Sequence, residues 1–132
     1  MTVVFSLISA THIHGAGLVT LGSLMLFHLA IAPVMFTELS GRAIWYLSTD
    51  LCVVFLIFLN VVATATPVAL RKPWVLCHIA NALALGVGGV LNLIAVRDPI
   101  NILVLAAYIA VLAGALGRDQ ESFVRRAARA LG

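Results

Sequence analysis

The sequence predicts an all-α integral membrane protein, an up-down bundle of four helices. Three observations carry that prediction. The 132 residues are 63% hydrophobic and only 10% charged, against roughly a quarter charged in soluble domains. So few charges cannot cover a water-facing surface. The apolar residues gather in four segments, at about 3–36, 49–70, 73–96 and 99–117, and about 20 such residues cross a hydrocarbon core as a helix. Short alternating segments, the mark of the other spanning solution, a closed β-barrel, are missing. Residues 1–117 then form the membrane domain and 118–132 a tail.

The first segment is longer than a crossing needs, so the sequence predicts a tilt or a bend near Pro33, where a missing N–H loosens the helical ladder. No Lys or Arg precedes Thr11 and the apolar run exceeds a signal-peptide core, so the first helix is expected to stay in the mature protein. The stretch FTELSGRAIWYLSTD reads as a turn plus an aromatic interface anchor, with the second helix opening at 49. The third helix follows Arg71 and Lys72, and the fourth ends at Gly117. In the tail, Phe123, Ala127 and Leu131 share one face and arginines the other. That pattern predicts a short amphipathic helix on an anionic leaflet, with a frayed extension of the fourth helix as the alternative.

Six of the eight basic residues (Arg71, Lys72, Arg118, Arg125, Arg126, Arg129) fall on one side of a four-span topology, and only Arg42 and Arg97 on the other. The positive-inside rule places both termini in the cytoplasm, and a bacterial inner membrane is the expected location. The net charge of +3 is thereby read as membrane orientation, with no nucleic-acid partner. Cys52 and Cys77 open helices at opposite ends, about 30 Å apart, too far for a disulfide within one chain.

Set His12 against His78 and the two stretches align without a gap. Ile13 matches Ile79, Ala16 matches Ala82, Gly22 matches Gly88, and Ser23 stands opposite Gly89. This suggests a two-fold internal repeat, helices one and two echoed by three and four.

Histidine is costly in hydrocarbon, so its positions bear on function. At about 100° per residue, His12 shares a face with Gly15, Ala16, Val19, Gly22, Ser23, Leu26 and Ala30. His78 shares one with Asn81, Ala82, Leu85, Gly88, Gly89 and Asn92. His14 lies about 200° from His12, so the two cannot chelate one metal on a regular helix. His14 instead lines up with His28, fourteen residues on, but the matching position after His78 is Asn92, a poor iron ligand.

One site can be completed. His12 and His78 fall at similar depth on diagonal helices of an up-down bundle, a pair suited to axial ligation of one b-type haem. Gly15, Gly22, Gly88 and Gly89 would leave room for a flat cofactor. His14, Cys77, His28, Asn81 and Asn92 are supporting or alternative ligands. Asn60 and Tyr108 are candidates for hydrogen bonds between helices. No phosphate-binding loop, catalytic triad or mid-membrane carboxylate is evident, so no catalytic residue is assigned.

The phrase HIHGAGLVTLGSLMLFHLAIAP resembles the first helix of small bacterial haem- or copper-associated membrane proteins. Among these are the copper-resistance D-like proteins and the membrane protoporphyrinogen oxidases, which have an early His followed by a Gly-containing, small-residue helix. The oxidases also carry a lysine in a later helix, whereas the one lysine here, Lys72, precedes the third helix. The resemblance therefore implies a haem-linked membrane protein rather than that oxidase activity.

Three functions stay open on the sequence. In the first, one haem b between His12 and His78 serves electron transfer or haem handling, with a redox partner. In the second, the chain is a non-catalytic accessory subunit of a respiratory or photosynthetic complex, or a homo-oligomer, and its histidines only make hydrogen bonds. In the third, a small transporter is lined by His12, His78 and Asn92.

Overall fold

The computed structural model describes residues 2–66, 71–91, 94 and 99–130. Its elements are α1 (Thr2–Met35), α2 (Gly41–Ala65), α3 (Arg71–Leu83), a π-helical segment that extends α3 (Ala84–Leu91), and α4 (Pro99–Ala130). No strand occurs among the described residues. Ala10–Met35, Gly41–Ala65, Lys72–Val90 and Pro99–Val124 are long and apolar enough to cross a membrane. That is the architecture of a multi-pass membrane protein.

Local chemistry explains most boundaries. Pro33 falls in the last turn of α1, which ends two residues later at Met35, so its missing N–H costs the helix only its final turn. α2 opens eight residues before the expected position 49. Ser40 is the reason: it caps the helix, its hydroxyl accepting from the Ala43 N–H at 3.3 Å, and one capping bond satisfies an otherwise orphaned donor. Residues 41–48, expected as loop, are therefore helical. α2 closes at Thr66, ahead of Pro67 in the sequence, and the residue before a proline avoids helical geometry.

α4 differs most from expectation. It continues without a break from Pro99 to Ala130, so no separate interfacial helix forms in the described part of the tail. Gly117, read as a terminator, is instead a contact residue, and the Ala- and Arg-rich sequence beyond it favours helix. The last position of the expected apolar face, Leu131, lies outside the described residues, as does Asn92.

Neighbouring helices run in opposite directions. Ala10 of α1 meets Gly117 of α4, His14 meets Gly114, and Gly17 meets Ala107 and Val111. α2 returns beside α1 through the short loop after Met35, and α3 packs on both α2 and α4. Leu21, Val53, Leu56, Ala107, Tyr108 and Val111 form the buried core. The two hairpins pack unlike each other: α1 lies closest to α4, not to its sequence neighbour α2.

The α1–α4 contact is backbone to backbone. A Cβ added at Gly114 would lie 2.6 Å from the His14 backbone nitrogen, and one at Gly17 would lie 2.9 Å from the Val111 nitrogen. Lipid supplies no hydrophobic drive between helices, so such close van der Waals contact is what binds them. In the π-helical segment, Gly88 and Gly89 both approach Tyr108, at 3.1 and 3.5 Å from a built Cβ. The wider π turn brings these two successive residues against one ring.

Replacing Gly114 with leucine is expected to cost about 2 kcal/mol or more, because overpacking strains both backbones. Gly86 has nothing within 4 Å of a built Cβ, so Gly86→Ala should stay within about 1 kcal/mol of the parent. Unfolding in mixed micelles with rising dodecyl sulfate, followed by circular dichroism, measures both.

Candidate functional site

Polar side chains gather at three levels along the helices. At the end where α1 begins, α1 contributes His14, α3 contributes Trp74 and His78, and α4 contributes Arg118 and Asp119. His14 is buried, 3% exposed, and its Nδ1 lies 3.0 Å from the Val111 carbonyl oxygen. A carbonyl only accepts, so Nδ1 carries the proton and donates. That fixes the tautomer and leaves the Nε2 lone pair open. Nε2 is buried and has no hydrogen-bond partner.

His78 repeats the arrangement with its nitrogens exchanged. Its Nε2 lies 2.7 Å from the Asp119 Oδ2, while Nδ1 is buried without a partner. Trp74, one turn earlier on α3, stands with its ring centroid 6.3 Å from that of His78. The Arg118 guanidinium carbon lies 5.8 Å from the Trp74 centroid. His14 packs against Gly114 of α4, and His78 bonds Asp119 of the same helix, so α1 and α3 both meet α4 toward this end.

One turn deeper, α2 and α3 are clasped by amides. Asn60 Nδ2 donates to Asn81 Oδ1 at 2.8 Å, and Asn81 Nδ2 donates back to Asn60 Oδ1 at 3.0 Å. The Cys77 thiol donates to the same Asn60 oxygen at 3.2 Å, and Asn60 Nδ2 also reaches the Leu56 carbonyl at 2.8 Å. All three side chains are buried, and nearly every donor and acceptor is used. Cys77 is thus a hydrogen-bonded thiol rather than a lone ligand.

At the opposite end, His28 Nδ1 meets Asp50 Oδ1 at 2.9 Å. Tyr46 stacks on the His28 ring at 3.6 Å between centroids, and its hydroxyl donates to the His28 carbonyl at 3.3 Å. Asp50 is buried and its Oδ2 has no partner. His28 is part-exposed, so this pair opens toward the surroundings.

The expected partner residues are placed differently from one another. His12 is exposed, on the opposite side of α1 from His14. With it, Ala16, Val19, Ser23, Leu26 and Ala30 of the expected packing face are also exposed. The face that packs is Ala10, His14, Gly17 and Leu21. On α3 most of the expected face packs, with Asn81 and Gly89 buried and His78, Leu85 and Gly88 half-buried, while Ala82 is exposed. Of the glycines expected to make room for a cofactor, Gly88 and Gly89 receive Tyr108 and Leu105, and Gly22 meets Ile57 at 3.7 Å. Only Gly15, beside His14, has open space around it.

Sequence reasoning did not single out Trp74, Arg118 or Asp119 as partners of the histidines. A signal was present: His78 follows Trp74 by four residues, one helical turn on the same face. No group of three or more His, Cys, Asp or Glu placed to hold a metal occurs among the described residues. The chain matches no protein-family model, and neither the curated proteins nor the solved structures gave a significant match.

The amide clasp can be tested directly. Asn60→Leu leaves the Asn81 amide and the Cys77 thiol short of partners and should lower stability by about 1–2 kcal/mol. Asn60→Leu with Asn81→Leu should regain part of that loss, since removing both amides leaves none unpaired. Dodecyl sulfate unfolding of the two single variants and the double variant gives the coupling.

Proposed function

We propose that this chain is a small up-down four-helix membrane protein that carries one b-type haem at the end where α1 begins, in electron transfer or haem handling. One observation supports this above the rest. His14 and His78 each have one ring nitrogen anchored by a hydrogen bond and the other buried with no partner. Metal-bound histidines have that habit, the second nitrogen donating to a carbonyl or carboxylate. An unpaired polar atom in hydrocarbon otherwise costs about 1–3 kcal/mol.

The residues divide the work. His14 is the better presented ligand, because its open nitrogen is the outer Nε2. The open nitrogen of His78 is Nδ1, nearer its own backbone, and Asp119 holds its ring in place. This reading moves the α1 ligand from His12 to His14, since His12 is exposed. Val111 supplies the carbonyl that orients His14, and Gly114 lets α1 come close enough to reach it. Bound haem supplies one-electron redox chemistry. The charge distribution of the loops supports cytoplasmic termini in an inner membrane, with the haem near that face.

A second reading, a non-catalytic subunit of a larger complex, draws on other observations. His14, His28 and His78 all bond between helices, and the glycines at 17, 88, 89, 114 and 117 serve packing. It accounts for the anchored nitrogens but not for the open ones. Transport is less favoured, because the middle of the bundle is closed by the Asn60–Asn81 clasp.

Visible spectra of the purified protein, reduced minus oxidised, separate these readings. A b-type α-band is expected after haem supplementation. His14→Ala should lower haem occupancy at least tenfold, and His78→Ala should convert a six-coordinate spectrum to a five-coordinate one. His28→Ala should leave the band in place. If His12→Ala abolishes it and His14→Ala does not, the α1 ligand is misassigned. Absence of any band in the parent protein would sink the haem reading.

A further inference from the structure

The end that holds His14 and His78 has a second set of unmet groups, of the opposite polarity. Trp74 is 9% exposed, and its Nε1 is buried with no hydrogen-bond partner. An indole nitrogen only donates, so the missing group is an acceptor. Arg118 sits over the same ring, 5.8 Å from its centroid, and brings five N–H donors. Trp74 lies in the first turn of α3 (Arg71–Leu83), the positive end of the helix dipole, and Lys72 is exposed beside it. Asp119, the acidic neighbour among the described residues, has its Oδ2 committed to His78.

The indole donor therefore lacks an oxygen acceptor, and Arg118 brings positive charge beside it. Trp74 and Arg118 also stand near the polar boundary, within a few residues of where α3 begins and where apolar sequence gives way in α4. A ligand here has an apolar body in the bundle and an acidic head at its rim.

We propose that Trp74 and Arg118 bind the carboxylates of a porphyrin, with the indole Nε1–H and the guanidinium donating to the acid oxygens. The porphyrin identity rests on the haem reading, but the clamp does not require iron. An anionic lipid headgroup offers similar chemistry, an oxygen anion on an apolar body. The porphyrin is favoured because the open nitrogens of His14 and His78 occupy the same end as the donors. One flat ligand uses both sets, whereas a headgroup uses only the donors.

The chain has two tryptophans, Trp45 and Trp74, and Trp45 is exposed on α2. In a Trp45→Phe background the emission therefore reports on Trp74 alone. The probes are metal-free protoporphyrin IX and its dimethyl ester, which share the ring and differ in their free carboxylates. The diacid should quench Trp74 saturably and bind about tenfold more tightly than the ester, as one charge-assisted hydrogen bond implies.

Arg118→Gln should remove that difference by weakening the diacid alone, and Arg118→Lys should restore part of it. His28→Ala, at the opposite end beside Asp50, should leave both affinities within about twofold. Equal binding of acid and ester by the parent protein, or no quenching, overturns the proposal without recourse to any variant at 118. Displacement of the diacid by phosphatidylglycerol but not phosphatidylcholine, lost in Arg118→Gln, overturns it in favour of a lipid headgroup. The haem spectrum depends on iron ligation and fails or stands separately: a band with no carboxylate preference defeats only the clamp. A carboxylate preference with no band in the iron-loaded protein defeats only the ligation.

Discussion

The α1–α4 contact sets the position of nearly everything else. Two helices meet here at backbone distance because Gly17, Gly114 and Gly117 carry no side chain where Val111, His14 and Ala10 arrive. Their approach brings the Val111 carbonyl within reach of His14 Nδ1. It also fixes the rotation of α4, which turns Asp119 toward His78 and Arg118 over Trp74. A side chain at Gly114 would push α1 outward and take the His14 ring from its acceptor. In a bilayer no solvent squeezes the helices together, so small residues and polar bonds must supply association. The glycines are thus part of the site although they hold no ligand.

The same scarcity of driving force explains why the polar side chains come in sets. A single buried amide in hydrocarbon is a liability, but two amides facing each other satisfy donors and acceptors reciprocally. Asn60 and Asn81 do this, and Cys77 uses the remaining lone pair of the Asn60 oxygen. The clasp ties α2 to α3 about two turns from where Gly88 and Gly89 receive Tyr108. It also separates the two ends of the bundle, so the His28–Asp50 pair and the His78–Asp119 pair are distinct environments. At the His28 end the ring is part-exposed and stacked on Tyr46. At the other end His14 is enclosed.

The sequence made the helices legible because hydrocarbon thickness and backbone satisfaction leave few options. It also identified the packing face of α3, where Asn81 and the glycine pair mark one side. The face of α1 was not legible from small residues alone, since they occur all round that helix. Gly15, Ala16 and Gly22 drew attention to the side of His12, yet Ala10, His14, Gly17 and Leu21 form the seam. Their spacing of four, three and four is the narrow repeat of a close helix pair, and α4 offers Ala107, Val111, Gly114 and Gly117 to match. Reading each helix singly hid this, because complementarity belongs to the pair. The start of α2 was misplaced for a simpler reason: the aromatic pair Trp45–Tyr46 suggested an interface, while the cap that starts the helix, Ser40, lies five residues earlier.

The groups left unpaired distinguish a packing role from a binding one. Helix packing explains every hydrogen bond the histidines make, and it would be sufficient if those bonds used all the buried polar atoms. They do not. One end of the bundle retains two imidazole nitrogens and an indole N–H, all buried and all without partners. The open His14 nitrogen has its tautomer fixed as an acceptor, while the indole can only donate, so the two call for different kinds of atom. A metal answers the first and an oxygen anion the second. Water could serve either, but an iron porphyrin carries both, with the metal at its centre and the acids at its edge. Asp50 at the opposite end retains one unpaired oxygen and no open imidazole nitrogen is enclosed beside it. The asymmetry between the ends is the physical ground for placing the proposed haem where α1 begins.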